Sequence, residues 1–443
     1  MSIEVNVVGM RCGAKNGGLD CAWCYETPLG RANEPIPVLK MDAVRGALDA
    51  IEKIQGCKES FSLFGGEPML APLETLEELW AEGLKRHGKN GVQTSGRPIR
   101  EEHFPLFHKY KVSVSFSIEG PEELNDSRWA GSTEETRKAT AHSIAMMKRC
   151  SDEEIPIGLI TTLYRKNSSA ERLPRLLDWF RELDTWRLYG VNLHVLEHDG
   201  RYRWLALSHE ENIHALLALY QLQIRELKHI RFPLFTDLLA LLRAKDAWKY
   251  SDGSPAGVGC TWTACDPMTT PAVQGIDADG RRSLCPRVYK DSKMWGAAER
   301  GPLVRQLVLR NTPQEEGGCQ GCRHIITCKG QCPGTALDGD WRKRSRDCEL
   351  WKGLLEHFEG VLLQAGEVPV TLRPDRDKIE ERMVAAWEQG MSARLIDVVE
   401  GGQTSKGKSV DYGDHSDHQD HTDLSAVLLG VQGEKVNEKG EEK

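Results

Sequence analysis

A chain of 443 residues exceeds one ordinary domain, and its net charge of −8 with a pI near 6.0 leaves no basic footprint, so nucleic acid is not an expected partner. Hydrophobic residues make up 40% and charged residues 28%, the balance of a chain that buries a core in water, and no segment approaches the ~20 apolar residues of a membrane span. The apolar stretch after Met1 is too short for a signal peptide and lacks a basic flank. A cytoplasmic protein is expected, and in that reducing compartment thirteen cysteines read as metal ligands rather than disulfides.

Through the first half, short β-rich runs alternate with amphipathic helices. Ile3–Val8 predicts a strand, followed by a cysteine loop and a helix over Met41–Ile54. Phe61–Phe64 is the second strand, and Gly65-Gly66-Glu67-Pro68 leads from it toward a helix near Leu73–Arg86. Val92–Thr94 with Glu101–His108, Val112–Ser117 with Thr133–Lys148, and Ile157–Leu163 with Leu173–Leu183 continue the alternation. Leu188–Val195 and a long helix at Ser208–His229 make a sixth pair. Such alternation implies a parallel sheet with right-handed crossovers. Six units are too few for a closed (β/α)8 barrel, so the expected fold class is α/β, an open partial (β/α)6 barrel over residues 1–245. Chemistry in such folds sits at the C-terminal ends of the strands, where the cysteine loop, the Gly-Gly-Glu turn and Ser117 all lie.

From residue 246 the pattern changes. Cysteine, Gly and Pro rise, and loop-rich segments such as Ser251–Gly259 and Thr312–Gly318 are better held by metal clusters than by an apolar core. This cysteine-rich region runs over 246–358 and is closed by a helix at Glu349–Leu363. A helical extension over 359–400 carries one more helix at Asp375–Gln389. Residues 401–443 read as a disordered acidic, His-containing tail, and the Asp-His repeat at Asp414–His421 as a solvated part of it.

Eleven of the thirteen cysteines fall into two patterns. The first is Cys12, Cys21 and Cys24, with gaps of eight and two residues. A cube of four irons and four sulfides takes four ligands, so three thiolates leave one iron open. The second is Cys260, Cys265, Gly280, Cys285, Cys319, Cys322, Cys328, Cys332 and Cys348, whose eight thiolates suffice for two fully ligated cubes. Paired four-cysteine zinc sites normally show two Cys-x2-Cys knuckles each, and this array contains one, Cys319–Cys322. Cys57 and Cys150 are left over as packing or surface residues.

Met10–Tyr25 and Phe64–Pro68 resemble the radical S-adenosylmethionine (radical SAM) superfamily. The usual first gap of three residues is lengthened here, while the second gap and the aromatic residue before the third cysteine, Trp23, are kept. The resemblance implies that Cys12, Cys21 and Cys24 bind a [4Fe–4S] cluster whose open iron chelates SAM. It implies that one electron then cleaves SAM to a 5′-deoxyadenosyl radical. Gly65, Gly66 and Glu67 match the motif that meets the SAM amino group. Ser117 and Arg128 match a fourth-strand segment and an arginine that reach the SAM ribose and carboxylate. Glu119 stands where Asp is usual and is assigned no role, nor are Thr94, Ser95 and Gly96, which lack the usual Asn of a third-strand motif.

The second array is similar to the SPASM domain in its form with two auxiliary clusters. By that resemblance Cys260, Cys265, Cys285 and Cys332 hold the cluster nearer the SAM site, and Cys319, Cys322, Cys328 and Cys348 the outer one, giving three [4Fe–4S] clusters in all. Relatives that mature sulfatases place an Asp base directly after the Cys285 position; Pro286 stands there. Most such relatives modify ribosomally made peptides, so the expected activity is a radical SAM peptide maturase in which the auxiliary clusters relay an electron. A peptide substrate and a flavodoxin- or ferredoxin-type electron donor follow as expected partners. The chain starts at the first barrel strand, so a leader-binding domain is expected to be absent, with leader recognition by a separate protein or by residues after 360. Maturation of a folded protein (a sulfatase or a quinone-cofactor enzyme), small-molecule or porphyrin oxidation, and a non-enzymatic iron–sulfur carrier are the alternatives. A carrier has no use for an open iron.

Overall fold

The computed structural model describes residues 2–7, 12–24, 38–55, 60–186, 188–196, 200–249, 255–267, 273–289 and 302–400. Cys57, the Asp-His repeat and the whole expected tail lie outside the described residues. Six strands follow the expected order: β1 (Ser2–Asn6), β2 (Ser60–Phe64), β3 (Asn90–Thr94), β4 (Val112–Ser117), β5 (Ile157–Leu163) and β6 (Gly190–Val195). Each pairs in parallel with the next. Helices α1 (Met41–Gln55), α2 (Leu73–His87), α3 (Phe104–Lys109), α4 (Thr133–Asp152) and α5 (Leu173–Leu183) are the crossovers, and α6 (His209–Arg225) follows β6.

The local reasons are ordinary. Parallel strands covered on both faces read as near-continuous apolar runs, and in β5 every residue except Ile160 is buried. Helix α5 buries Leu173, Leu176, Trp179, Phe180 and Leu183 on one face, the three-and-four spacing of an amphipathic helix. Ser208 caps α6 by accepting from Glu211 N while the Glu211 carboxylate accepts from Ser208 N, a capping box.

The structure departs from the sequence reading after residue 246. A hairpin of β7 (Val273–Asp277) and β8 (Arg282–Leu284) joins the barrel sheet, with β7 parallel to β1 and β8 antiparallel to β7. Among the described residues the sheet is therefore eight-stranded, in the order β8-β7-β1-β2-β3-β4-β5-β6. Gly280 closes the hairpin at φ +83°, and a Cβ there would lie 2.5 Å from Ala43 of α1, so only glycine allows the turn to seat on that helix. These strands carry no clear sequence period because each is short and ringed by Cys, Gly and charged residues.

Helix α7 (Pro233–Leu242) closes the barrel side, α8 (Val304–Asn311) runs between the cysteine loops, and α9 (Cys348–Gln364) and α10 (Arg376–Glu388) follow. Phe358 of α9 packs edge-on to Tyr220 of α6 at 4.7 Å between ring centroids and lies 6.0 Å from Phe235 of α7. One contiguous apolar core thus runs from Ile3 to Val398. None of the described helices is long and apolar enough to cross a membrane.

Candidate functional site

At the C-terminal ends of the parallel strands lies a cavity of about 150 Å³, lined by Cys12, Cys21, Trp23, Cys24, Gly65, Gly66, Glu67, Ser117 and Arg128 among others. Residues from 12 to 128 thus meet at one place because each follows a strand or the loop after it. Gly65 and Gly66 adopt φ +85° and +56° directly after β2. A Cβ on Gly65 would lie 2.7 Å from Asn6 Cγ, so the β1 neighbour itself demands glycine.

Glu67 caps the turn that Pro68 begins and is 2% exposed. Its carboxylate accepts from Thr94 Oγ1 at 2.6 Å, Ser95 N at 2.8 Å, Met69 N at 3.3 Å and the Ser95 hydroxyl. A carboxylate has about four lone-pair sites, so the protein already fills them. Burial pushes the Glu67 pKa up, against the pull of the Ser95 and Thr94 donors. Two of the four donors are hydroxyls, which rotate, so an incoming ammonium can take their place. Thr94 and Ser95, given no role from sequence, hold this carboxylate; the signal available was their position at the end of β3, beside the end of β2.

Cys21 and Arg128 are joined through the backbone, where Asp20–Cys21 pairs antiparallel with Arg128–Trp129. Arg128 Nη1 donates to Cys21 Sγ at 3.3 Å. Its guanidinium also grips the fully buried Glu119, with Nη2 to Oε1 at 2.7 Å and a second bond from Nε. Glu119 in turn accepts from Thr162 N at 3.2 Å. The residue set aside for being Glu rather than Asp is thus the counter-ion that places Arg128. Trp23 packs against Tyr164 with ring centroids 4.6 Å apart, and the Arg128 guanidinium lies 5.8 Å from the Trp23 ring centre, a cation–π distance.

Burial, then the Glu67 charge, pushes the Cys12 thiol up to about 12. Burial raises Cys21 further, with Arg128 pulling the other way and Cys24 and Cys12 adding to the rise. Three thiols within electrostatic range of one another, with no fourth cysteine on the cavity wall among the described residues, suit a cationic group that takes three protein ligands and keeps one position open. The cation would itself supply the charge that holds the thiolates ionised.

A second cavity, of about 240 Å³, abuts the first and brings together Cys260, Cys265, Cys285 and Cys332. Cys260 is exposed to it, yet the surrounding protein mass and the Cys332 charge push its thiol up to about 11. Cys285 is raised well above the ordinary value by burial, with Cys332 and Cys260 adding to the effect. Cys319, Cys322, Cys328 and Cys348 form a separate set. Burial, followed by Cys322 and Cys348, pushes Cys319 up to about 12, and Cys328 feels Cys319, Cys348 and Cys322. The chain thus divides the eight thiols into two groups of four, with Cys332 joining the earlier cysteines rather than its sequence neighbours. Among the described residues no three of these groups close to the spacing of a single ion. Cys150 is buried in the core at the end of α4, away from all three sets.

The two cavities share six residues: Phe64, Gln93, Ile160, His194, Val195 and Arg287. His194, which the sequence reading did not single out, lies near the end of β6. Burial, then the Arg287 and Arg128 charges, hold its pKa down to about 3. An imidazole so acidic is a poor general base near neutral pH, but it is a neutral group with one donor and one acceptor nitrogen. Pro286 opens a short helix, Pro286–Tyr289, directly after Cys285, and offers no proton acceptor there.

No family model matches the chain. It is 23% identical over 196 residues to the cysteine-type anaerobic sulfatase-maturating enzyme of Clostridium perfringens, covering 42% of this chain and 52% of that one. It is 27% identical over 111 residues to an uncharacterised protein of Methanothermobacter thermautotrophicus, covering 24% of this chain and 40% of that one. The chain thus spans about half or less of the lengths of these curated relatives. A solved structure of anSMEcpe with bound S-adenosylmethionine and Cp18Cys peptide superposes with a TM-score of 0.58 at 15% identity, covering 82% of this chain and 98% of that one. Streptococcus suis SuiB bound to S-adenosylmethionine matches with a TM-score of 0.51 at 13% identity, covering 79% and 77%. Both are radical SAM/SPASM enzymes, and the (β/α) fold of this chain is theirs.

Proposed function

We propose that this chain, which has the fold of the radical SAM/SPASM enzymes, is an S-adenosylmethionine-dependent maturase that modifies a ribosomally made peptide by cross-linking or oxidation. Cys12, Cys21 and Cys24 would hold a [4Fe–4S] group with one open iron. Cys260, Cys265, Cys285 and Cys332 would hold a second, and Cys319, Cys322, Cys328 and Cys348 a third. When bound, these groups and SAM supply one-electron chemistry, a 5′-deoxyadenosyl radical that removes hydrogen from substrate. The protein's own part is to bind, orient and exclude water.

The observation that carries the reading is the wall of six residues common to the two cavities. It leaves room for substrate between the three-cysteine set and the inner four-cysteine set, in reach of both. Glu67 would receive the SAM ammonium, Trp23 and Ser117 bound the same cavity, and Arg128, anchored by Glu119, supplies fixed positive charge beside Cys21. His194 and Gln93 offer uncharged hydrogen bonds to a peptide backbone crossing from one cavity to the other. The bound peptide of anSMEcpe supports a peptide in the corresponding place here. A flavodoxin- or ferredoxin-type protein would deliver the electron, and a separate protein or the residues after 360 would bind a leader.

Anaerobically reconstituted protein with SAM and a reductant should release methionine and 5′-deoxyadenosine, and Cys21→Ala with Cys24→Ala should abolish that release. Persistence of cleavage in the double variant would overturn the assignment. Co-expression with a short peptide encoded beside this chain, followed by accurate mass, tests the substrate: loss of two hydrogens per site is expected. A folded-protein substrate is the second reading, favoured by the likeness to a sulfatase-maturating enzyme; an unmodified short peptide and a modified folded partner would establish it instead.

A further inference from the structure

Arg305, in the first turn of α8, is fully buried. Its guanidinium donates only to carbonyl oxygens: Nε to Trp341 O at 2.7 Å, Nη1 to Lys329 O at 3.2 Å, and Nη2 to Gly330 O at 3.0 Å and Lys343 O at 3.2 Å. Among the described residues no carboxylate lies within ion-pair distance of it. Gly330, at φ +74°, lets the backbone come close, since a Cβ there would lie 2.4 Å from Leu309 and 3.5 Å from Arg305 Nη2.

An arginine keeps its proton in a protein, and a buried charge without a counter-ion costs several kcal/mol. Carbonyl dipoles satisfy the N–H groups but do not neutralise a full charge. Two of the accepting carbonyls, Lys329 O and Gly330 O, belong to the short loop between Cys328 of the outer set and Cys332 of the inner set. The same helix ties both sets through its backbone. Arg305 N donates to Asp266, the residue after Cys265, at 2.8 Å, and Cys319 N donates to Leu309 O at 2.6 Å. Buried Lys329, beside Cys328, differs in that Asp246 is among the groups acting on it.

We propose that Arg305 is the shared counter-cation of the two four-cysteine sets, a positioning residue whose single charge sets the reduction potentials of both iron–sulfur groups together. The inference rests on the cluster assignment proposed above. An iron–sulfur group gains one negative charge on reduction, and its potential follows the surrounding charge and hydrogen bonds. One cation within range of both groups favours the reduced state of each.

The test uses full-length holoenzyme in a Cys12→Ala, Cys21→Ala, Cys24→Ala background, so that only the auxiliary groups are seen. Iron is counted first. A background protein lacking the iron of two four-iron groups overturns the cluster reading itself, before Arg305 is touched. Potentials are then read by redox titration with electron paramagnetic resonance. Arg305→Gln, which keeps amide donors but no charge, should move both midpoint potentials negative, and Arg305→Lys should leave both near the parent values. Unmoved potentials in the Gln variant, or movement of one group alone, would refute a shared counter-cation. If the Gln variant loses its iron, Arg305→Lys decides: retained iron with parental potentials supports the charge role, and equal loss makes Arg305 a shape-specific brace and overturns the proposal.

Discussion

Glu119→Gln isolates the charge that places Arg128. The amide keeps an acceptor for Thr162 N, held at 3.2 Å, and the volume barely changes, while the guanidinium loses its anion. The Glu119 side chain is 0% and that of Arg128 11% exposed, and removing one partner from such a buried pair costs about 3–5 kcal/mol. With a urea slope of about 2–3 kcal/mol per molar, the unfolding midpoint should fall by about 1–2.5 M, followed by circular dichroism under anaerobic conditions. The double variant Glu119→Gln, Arg128→Met removes the stranded charge and should recover a large part of that loss, giving a favourable coupling in a double-mutant cycle. A midpoint shift of less than about 0.3 M in Glu119→Gln, or strictly additive losses in the double variant, would refute the claim that Glu119 is the anchor of Arg128.

Gly65→Ala meets both a left-handed backbone and the Asn6 side chain 2.7 Å away; a loss of at least about 1–2 kcal/mol and a weakened SAM affinity by calorimetry are expected, and wild-type values in both would contradict the tight β1–β2 approach. Ser95→Ala removes one hydroxyl donor from the buried Glu67 carboxylate and should cost about 1–3 kcal/mol in equilibrium denaturation, whereas Ser95→Thr, which keeps the hydroxyl, should cost less. For His194 the folded pKa of about 3 lies below the ordinary imidazole value of 6.5. The unfolded chain therefore takes up a proton that the folded chain refuses, and stability from this group, complete above pH ~6.5, is lost as pH falls toward 3. His194→Gln should flatten the fall of the urea midpoint across that window, and an unchanged slope would place the imidazole in an ordinary solvated setting.

Much of the barrel was legible because its signals are local and repeated. Alternating apolar strands and amphipathic helices recur six times, and the strand ends are where Gly65-Gly66-Glu67 and Ser117 occur. The cysteine spacing is a property of the sequence; in the fold, Cys332 lines the second cavity while the Cys328 thiol, four residues earlier, feels Cys319, Cys348 and Cys322. Where sequence reasoning set residues aside, it judged them one at a time. Glu119 departed from an expected residue type and Thr94 and Ser95 lacked an expected neighbour, yet each acts through a partner, Arg128 or Glu67, on another strand.

The sequence by itself determined the parallel α/β barrel, the three-cysteine loop and the supply of eight further thiols, because periodicity and cysteine spacing are properties of the linear chain. Only the tertiary structure decided that a hairpin from the cysteine-rich region extends the sheet beside β1, that His194 and Arg287 line both cavities, and that the buried Arg305 bonds the carbonyls of the loop between Cys328 and Cys332. Those are long-range pairings, made where backbone hydrogen bonds, buried charges and apolar area from distant segments must be satisfied at once.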